Sequence, residues 1–396
     1  MAKKTVKDVD VSGKRVLVRV DFNVPLDDAG GVADDTRIEA SLPTLRYLLD
    51  HGASLVIMSH LGRPKGKVVE SMRLTPVAAR LGELLGVEVR KTGAVVGEEV
   101  EKACAELRPG EVILLENLRF QPGEEDNDPD FAAALARLAD VYVNDAFGAA
   151  HRAHASVTGV AERLPAVAGL LMEKEVRALQ GLLTAPERPF VAVLGGSKIS
   201  DKLKVIGRFQ NLVDTLLIGG GMCFTIFKSQ GMEIGKSLCE DDLLDEVGEF
   251  MARGSEAKAE IMLPMDLVVA SDFKEDADSR TVGAGDIPAG WMGLDIGPRT
   301  IEAYVEAIAG ANTIFWNGPM GVFEWEAFSR GTRAVAEAMA SSSAVSVAGG
   351  GDTIAAIEKY GLAEDFTHIS TGGGASMELL EGRELPGVAA LEDAEA

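Results

Sequence analysis

FVAVLGGSKISDK, residues Phe190–Lys202, sets a run of five apolar residues against a glycine pair and two lysines. A short apolar run that breaks into glycines and then into helix-forming residues predicts a buried strand turning into a helix. At such a turn, backbone amides and the helix dipole favour an anion.

The same unit repeats in both directions. Apolar runs at Val16–Val20, Leu55–Met58, Val112–Leu115 and Val141–Val143 alternate with helix-period segments such as Ile38, Leu42, Leu45 and Leu49. After Pro189 the rhythm returns at Phe190–Leu194, Thr215–Ile218, Leu267–Ala270, Thr313–Trp316 and Ala344–Val347. Strands alternating with helices imply parallel sheets covered on both faces. The expectation is an α/β protein with two doubly wound parallel-sheet (Rossmann-like) domains joined by a helix and hinge. Met172–Leu183 has mixed charge and helical apolar spacing, which places the connecting helix at 173–185 between domains at 1–172 and 186–382. The acidic tail after Leu385, within a C-terminal segment at 383–396, reads as a surface extension with frayed final residues.

The totals agree with two cores, because 396 residues exceed the size at which one core stops growing and 46% are hydrophobic. Subtracting 62 acidic from 39 basic residues gives −23, which opposes nucleic acid and anionic membranes as partners. Any anion site must therefore gather its cations locally. Cys104, Cys223 and Cys239 are scattered and odd in number, which suits buried apolar positions better than a disulfide framework. MAKKTVKDVD at the amino terminus has no apolar signal core, and a cytoplasmic location is expected.

Glycine clusters at Gly195-Gly196, Gly219–Gly221, Gly349–Gly351 and Gly372–Gly374 all fall in the second half. One alone would be a packing turn, whereas four suggest a nucleotide. The dinucleotide fingerprint is absent, and GMEIGKS (Gly231–Ser237) and GRPKGK (Gly62–Lys67) are each one residue short of a Walker A loop. Lys198 and Lys202 stand near a helix start, where the macrodipole disfavours cations unless a phosphate is bound. Asp352, in AGGGDT, can cap a helix or hold Mg²⁺. In the first half, DFNVP (Asp21–Pro25) and SHLGRP (Ser59–Pro64) end strands, Arg37 begins a helix, and Arg119 and Arg152 lie in loops. Arginines gathered at strand ends of an acidic chain, with His60 beside one, suggest a pocket for a small multiply charged anion.

DFNVP, SHLGRP, LENLRF, NDAFGAAHRAHAS, VLGGSKISDK, WNGPMGVFE, AGGGDT and STGGGAS, in this order over about residues 16 to 382, resemble the motifs of the phosphoglycerate kinase family. Ser197 and Cys223 stand where that family more often has alanine. The resemblance implies a monomeric glycolytic enzyme moving a phosphoryl group between 1,3-bisphosphoglycerate and ADP to give 3-phosphoglycerate and ATP, with Mg²⁺. It implies that Asp21, Phe22, Asn23, Arg37, His60, Leu61, Gly62, Arg63, Arg119 and Arg152 bind phosphoglycerate on the first domain. It places the nucleotide in the second domain at Gly195, Lys198, Lys202, Gly219, Gly220, Gly293, Asn317, Glu324, Gly350, Gly351, Asp352 and Thr353. Glu324 is expected on the ribose and Asp352 on the metal, with Arg37, Lys198, Gly373 and Gly374 around the transferred group, and the resemblance also implies that segment 383–396 packs back on the first domain. Both nucleophiles, an ADP phosphate and a carboxylate, are already anions, so no general base is required. Another kinase that makes acyl phosphates, or a non-catalytic nucleotide-binding paralogue, would share much of this pattern.

Overall fold

The computed structural model describes residues 2–254 and 258–394. They form two compact units, one reaching to Arg177 and resuming at Arg383, the other running Ala178–Gly382.

The first unit is built on six strands, β1 (Arg15–Arg19), β2 (Ser54–Met58), β3 (Val89–Lys91), β4 (Val112–Leu114), β5 (Val141–Asn144) and β6 (Ala166–Ala168). They pair in parallel in the order β3-β4-β2-β1-β5-β6. Val16, Val18, Leu55 and Ile57 are buried in one cluster with Ile38, Leu42, Leu45 and Leu48 of the Thr36–Asp50 helix. Leu48 completes that stripe, and Leu49 is only partly buried against it. β1 is the topological switch, since the chain leaves it for β2 on one side and later returns to β5 on the other. Carboxyl ends at such a switch are where open α/β sheets bind ligands.

The carboxyl-terminal segment is not a surface extension. Leu385 and Leu391 are buried, the Gly387 N–H donates to the Ala150 carbonyl at 2.8 Å, and Asn144 Nδ2 donates to the Gly387 carbonyl at 3.1 Å. Two leucines spaced through the acidic tail supply the apolar area that docks it on the first unit. The fraying expected of the final residues falls at 395–396, outside the described residues.

The second unit has the parallel order β15-β14-β13-β7-β8-β9, comprising β7 (Phe190–Leu194), β8 (Thr215–Ile218), β9 (Glu260–Met262), β13 (Thr313–Asn317), β14 (Val345–Gly349) and β15 (His368–Ser370). Leu267–Ala270 does not join it. As β10 (Asp266–Ala270) it pairs antiparallel with β11 (Ser279–Gly283) and β12 (Met292–Ile296). The reason is connection length: the Ser271 N–H donates to the Asp278 carbonyl at 2.9 Å, closing a hairpin, whereas a parallel return needs a crossover of a dozen residues. The Leu170–Thr184 helix continues through Gly181 and contains the division between the units.

Candidate active-site residues

In the first unit, the loops after β1, β2 and β4 are tied into one network. Arg37 leaves the first turn of its helix and donates through Nη1 to Asp21 Oδ2 at 2.7 Å. Asp35, the neighbouring acid that might have held it, is taken instead by Arg80 Nε at 2.7 Å. The Gly62 N–H donates to Asn23 Oδ1 at 2.8 Å, and Arg119 Nη1 donates to the Gly62 carbonyl at 2.7 Å. The Phe22 N–H donates to Ser59 Oγ at 2.9 Å, which fixes the start of DFNVP against the start of SHLGRP. Asp21, Phe22, Asn23, Arg37, His60, Leu61, Gly62 and Arg119 are thereby gathered. Arg63 and Arg152 are exposed at the edge; Arg152 Nε contacts His151 Nε2 at 3.1 Å.

Electrostatics follow from crowding cations around little water. Burial opposes charge on Asp21, yet Arg37, Arg19 and the backbone N–H of Asn23 hold its carboxyl below the usual range. Burial drives the His60 ring well below its usual value, against the pull of Asp21 and with help from Arg19, Arg119 and Arg37. Burial likewise lowers Arg119, whose Nε makes no hydrogen bond and lies 3.3 Å from Glu125 Oε1. An anion entering here would offset the burial of the Arg119 guanidinium.

Two contributors were missed in the sequence. Arg19, nearly fully buried, underlies His60. Asn117, fully buried, uses Oδ1 to accept from the Leu61 and Arg119 N–H groups, each at 3.1 Å. Its Nδ2 donates to the carbonyls of Leu61 at 2.7 Å and Met72 at 2.9 Å. The signal for Arg19 was a charge inside an apolar run; Asn117 left none beyond its place in LENLRF.

In the second unit, three turns interlock. The N–H groups of Gly195 and Gly196 donate to the carbonyls of Asn317 and Pro319, both at 3.0 Å, and that of Gly220 to Met320 at 3.1 Å. Gly219 donates to Leu194 at 2.9 Å. Four amides of the first two glycine clusters, those of Gly195, Gly196, Gly219 and Gly220, are therefore consumed by the protein, whereas such amides are expected to face phosphate. Their glycines serve close approach: a Cβ on Gly195 would lie 2.1 Å from the Pro319 carbonyl oxygen.

The later clusters differ. In the Gly351–Lys359 helix the N–H groups of Gly351, Asp352 and Thr353 have, among the described residues, no backbone acceptor, as at any helix start. Gly350, at φ +98, turns the chain into that helix, and Gly373, at φ +45, precedes the Gly374–Leu380 helix. Asp352 is exposed in the first turn of the helix, whose cap residue is Gly350, so it does not stand at the cap position. Thr353 Oγ1 accepts from the Gly318 N–H at 2.7 Å, and Asn317 Nδ2 donates to the Gly349 carbonyl at 2.6 Å, joining the end of β13 to the end of β14.

Lys202 lies just before the Leu203–Leu212 helix, its Nζ against Asn317 Oδ1. Burial pushes its pKa down to about 8, against Asp201 and Asp352. Lys198 is exposed. The Gly293 N–H donates to Ser237 Oγ at 2.9 Å, and Glu324, also exposed, has its carbonyl bound by Lys359 Nζ at 3.1 Å. A cleft of about 540 Å³ lined by Val305, Ala309, Ala334 and Glu337 lies elsewhere on this unit and holds none of these residues.

A family model described as phosphoglycerate kinase matches residues 6–383. A phosphoglycerate kinase of Moorella thermoacetica is 59% identical over 393 residues, 99% of this chain and 100% of the relative. One of Roseiflexus sp. (strain RS-1) is 59% identical over 396 residues and 100% of both chains. Among solved structures, phosphoglycerate kinase from Coxiella burnetii is similar with a TM-score of 0.89 at 41% identity, covering 98% of each chain. That from Pyrococcus horikoshii OT3 gives 0.84 at 36%, covering 99% of this chain and 98% of its own. With two doubly wound units, the motif set in order and full-length similarity to these enzymes, the chain belongs to the phosphoglycerate kinase family.

Proposed function

We propose that this chain catalyses reversible phosphoryl transfer between 1,3-bisphosphoglycerate and ADP, giving 3-phosphoglycerate and ATP. The observation that carries the assignment of sites is the network joining Asp21, Asn23, Arg37, His60, Gly62 and Arg119 at the carboxyl ends of β1, β2 and β4. In a chain of net charge −23, so local a gathering of cations suits a small polyanion. Arg63 and Arg152 extend it at the rim.

The nucleotide belongs to the second unit. The unpaired amides of Gly351, Asp352 and Thr353 suit phosphate oxygens, with Lys202 and Asn317 beside them. Gly195, Gly219, Gly220 and Gly293 are assigned to the nucleotide's surroundings, where they let the turns pack closely; Glu324 meets the ribose, and Lys198, Gly373 and Gly374 meet the phosphoryl in transit.

Mg²⁺ fits this arrangement. A single uncapped carboxylate at a helix start suits a cation that takes one or two carboxylates and fills its shell with phosphate and water. Asp352 would hold it, and when bound it neutralises charge on the transferred group. Arg37 and Lys198 add fixed positive charge, and no side chain has to remove a proton. Since the two ligands are assigned to different units, transfer is assigned to a closed state with the Leu170–Thr184 helix as hinge element.

A coupled assay of the purified chain with 3-phosphoglycerate and MgATP tests the function. Turnover of acetate without 3-phosphoglycerate would move it to another acyl-phosphate kinase. Nucleotide binding with no turnover would make it a non-catalytic paralogue.

A further inference from the structure

Arg19 is 1% exposed and, among the described residues, has no carboxylate within ion-pairing distance. Its Nε donates to Ser156 Oγ at 3.0 Å, its Nη1 to the Val20 carbonyl, and its Nη2 lies 3.0 Å from His60 Nδ1. A guanidinium offers only N–H donors, so the nitrogen facing it must accept, and an imidazole nitrogen that accepts carries no proton. We infer that Arg19 is a positioning residue that locks His60 as the neutral Nε2–H tautomer, making the ring an uncharged hydrogen-bond donor toward the phosphoglycerate of the proposed reaction. This rests on assigning that substrate to the first unit.

The surrounding contacts leave no competing arrangement. Asp21 Oδ1 is 3.9 Å from Nδ1, too far for a hydrogen bond, and Asp21 Oδ2 is held by Arg37. Nε2 has no protein partner among the described residues and is not among the buried polar atoms left unsatisfied. The charged groups facing the ring are Arg19 from β1, Asp21 from the loop after it, Arg37 from the Thr36–Asp50 helix and Arg119 after β4. Three cations against one anion oppose a further proton on a buried ring.

Arg19 is itself oriented. Ser156 Oγ donates to Glu124 Oε1 at 2.6 Å, and the Ser156 N–H donates to Glu124 Oε2 at 3.0 Å, so the Ser156 hydroxyl lone pairs are turned toward Arg19 Nε. Glu124, Ser156, Arg19 and His60 thus form one directed chain in which each proton has a single place.

Long-range proton–nitrogen NMR of the full chain labelled in its five histidines, with His60→Gln to assign the signal, tests this directly. Expected is a bare Nδ1 and a protonated Nε2, with no titration between about pH 5.5 and 8. A protonated Nδ1, or a midpoint near the ordinary value of about 6.5, overturns the inference. In Arg19→Met the ring should titrate nearer that value and populate both tautomers. The KM for 3-phosphoglycerate should rise about tenfold with that for MgATP unchanged. A variant that only melts earlier, with His60 and KM unaltered, also overturns it, and if Arg19→Met does not fold, the wild-type spectrum decides alone. Turnover of 3-phosphoglycerate by the same sample tests the functional assignment separately.

Discussion

Lys202 offers a measurement that links burial to ligand binding. Its pKa falls from the ordinary lysine value of 10.5 to about 8, chiefly because burial disfavours the ammonium. That difference corresponds to roughly 3 kcal/mol set against the charged form in the unliganded fold. The sign is fixed by linkage: for a base whose folded pKa is depressed, the cost is full below about pH 8 and fades as pH rises toward about 10.5. A nucleotide phosphate beside Nζ reverses the balance and draws the proton back. With a midpoint near 8, the amine is about one-quarter protonated at pH 8.5, so saturating MgADP should take up about 0.8 proton there and only about 0.2 at pH 7.5. Titration calorimetry in buffers of differing ionisation enthalpy reads this number. Lys202→Met should abolish the difference and weaken MgADP by about ten- to a hundredfold, as expected for one charge-assisted contact. Equal uptake at both pH values, or uptake that persists in Lys202→Met, would refute the reasoning.

Arg37→Ala should lower kcat by about 10³ or more with little change in melting temperature, because the side chain is partly exposed and its partner Asp21 keeps other cations nearby. Arg37→Lys should fall between alanine and wild type; wild-type turnover in the alanine variant would reduce Arg37 to a surface ion pair. Lys198→Ala should depress kcat far more than it alters the KM for MgATP, and parallel losses would mean ground-state binding only. Asp352→Asn should shift the Mg²⁺ activation curve at fixed ATP to higher concentration by about tenfold, with unchanged melting, since no cap is lost. An unaltered curve would remove the metal role.

Periodicity alone exposed most of the strands, because a parallel strand buried on both faces must be apolar throughout and cannot be confused with a surface loop. It failed at Leu267–Ala270, where the apolar run was right and the partner wrong: whether a strand pairs parallel or antiparallel depends on how far the chain travels before returning, and the hairpin closed by Ser271 and Asp278 is short. It failed again at the tail, where two leucines outweighed the acidic composition.

The candidate site divides along the same line. Which residue types could bind polyanions was written in the order of the motifs, since a guanidinium or a glycine-rich turn has the same capability wherever it occurs. Tertiary structure alone decided which capabilities were still free. Backbone carbonyls of Asn317, Pro319 and Met320, far along the chain, consumed the amides of Gly195, Gly196 and Gly220, while among the described residues those of Gly351 to Thr353 stayed without a backbone acceptor. Arg37 went to Asp21 and not to Asp35, and Arg19, passed over inside the Val16–Val20 run, proved to be the donor beneath His60. Hydrogen bonds are pairwise and saturable, and their partners are distant in the chain, so a residue's chemistry is local while its availability is a property of the fold.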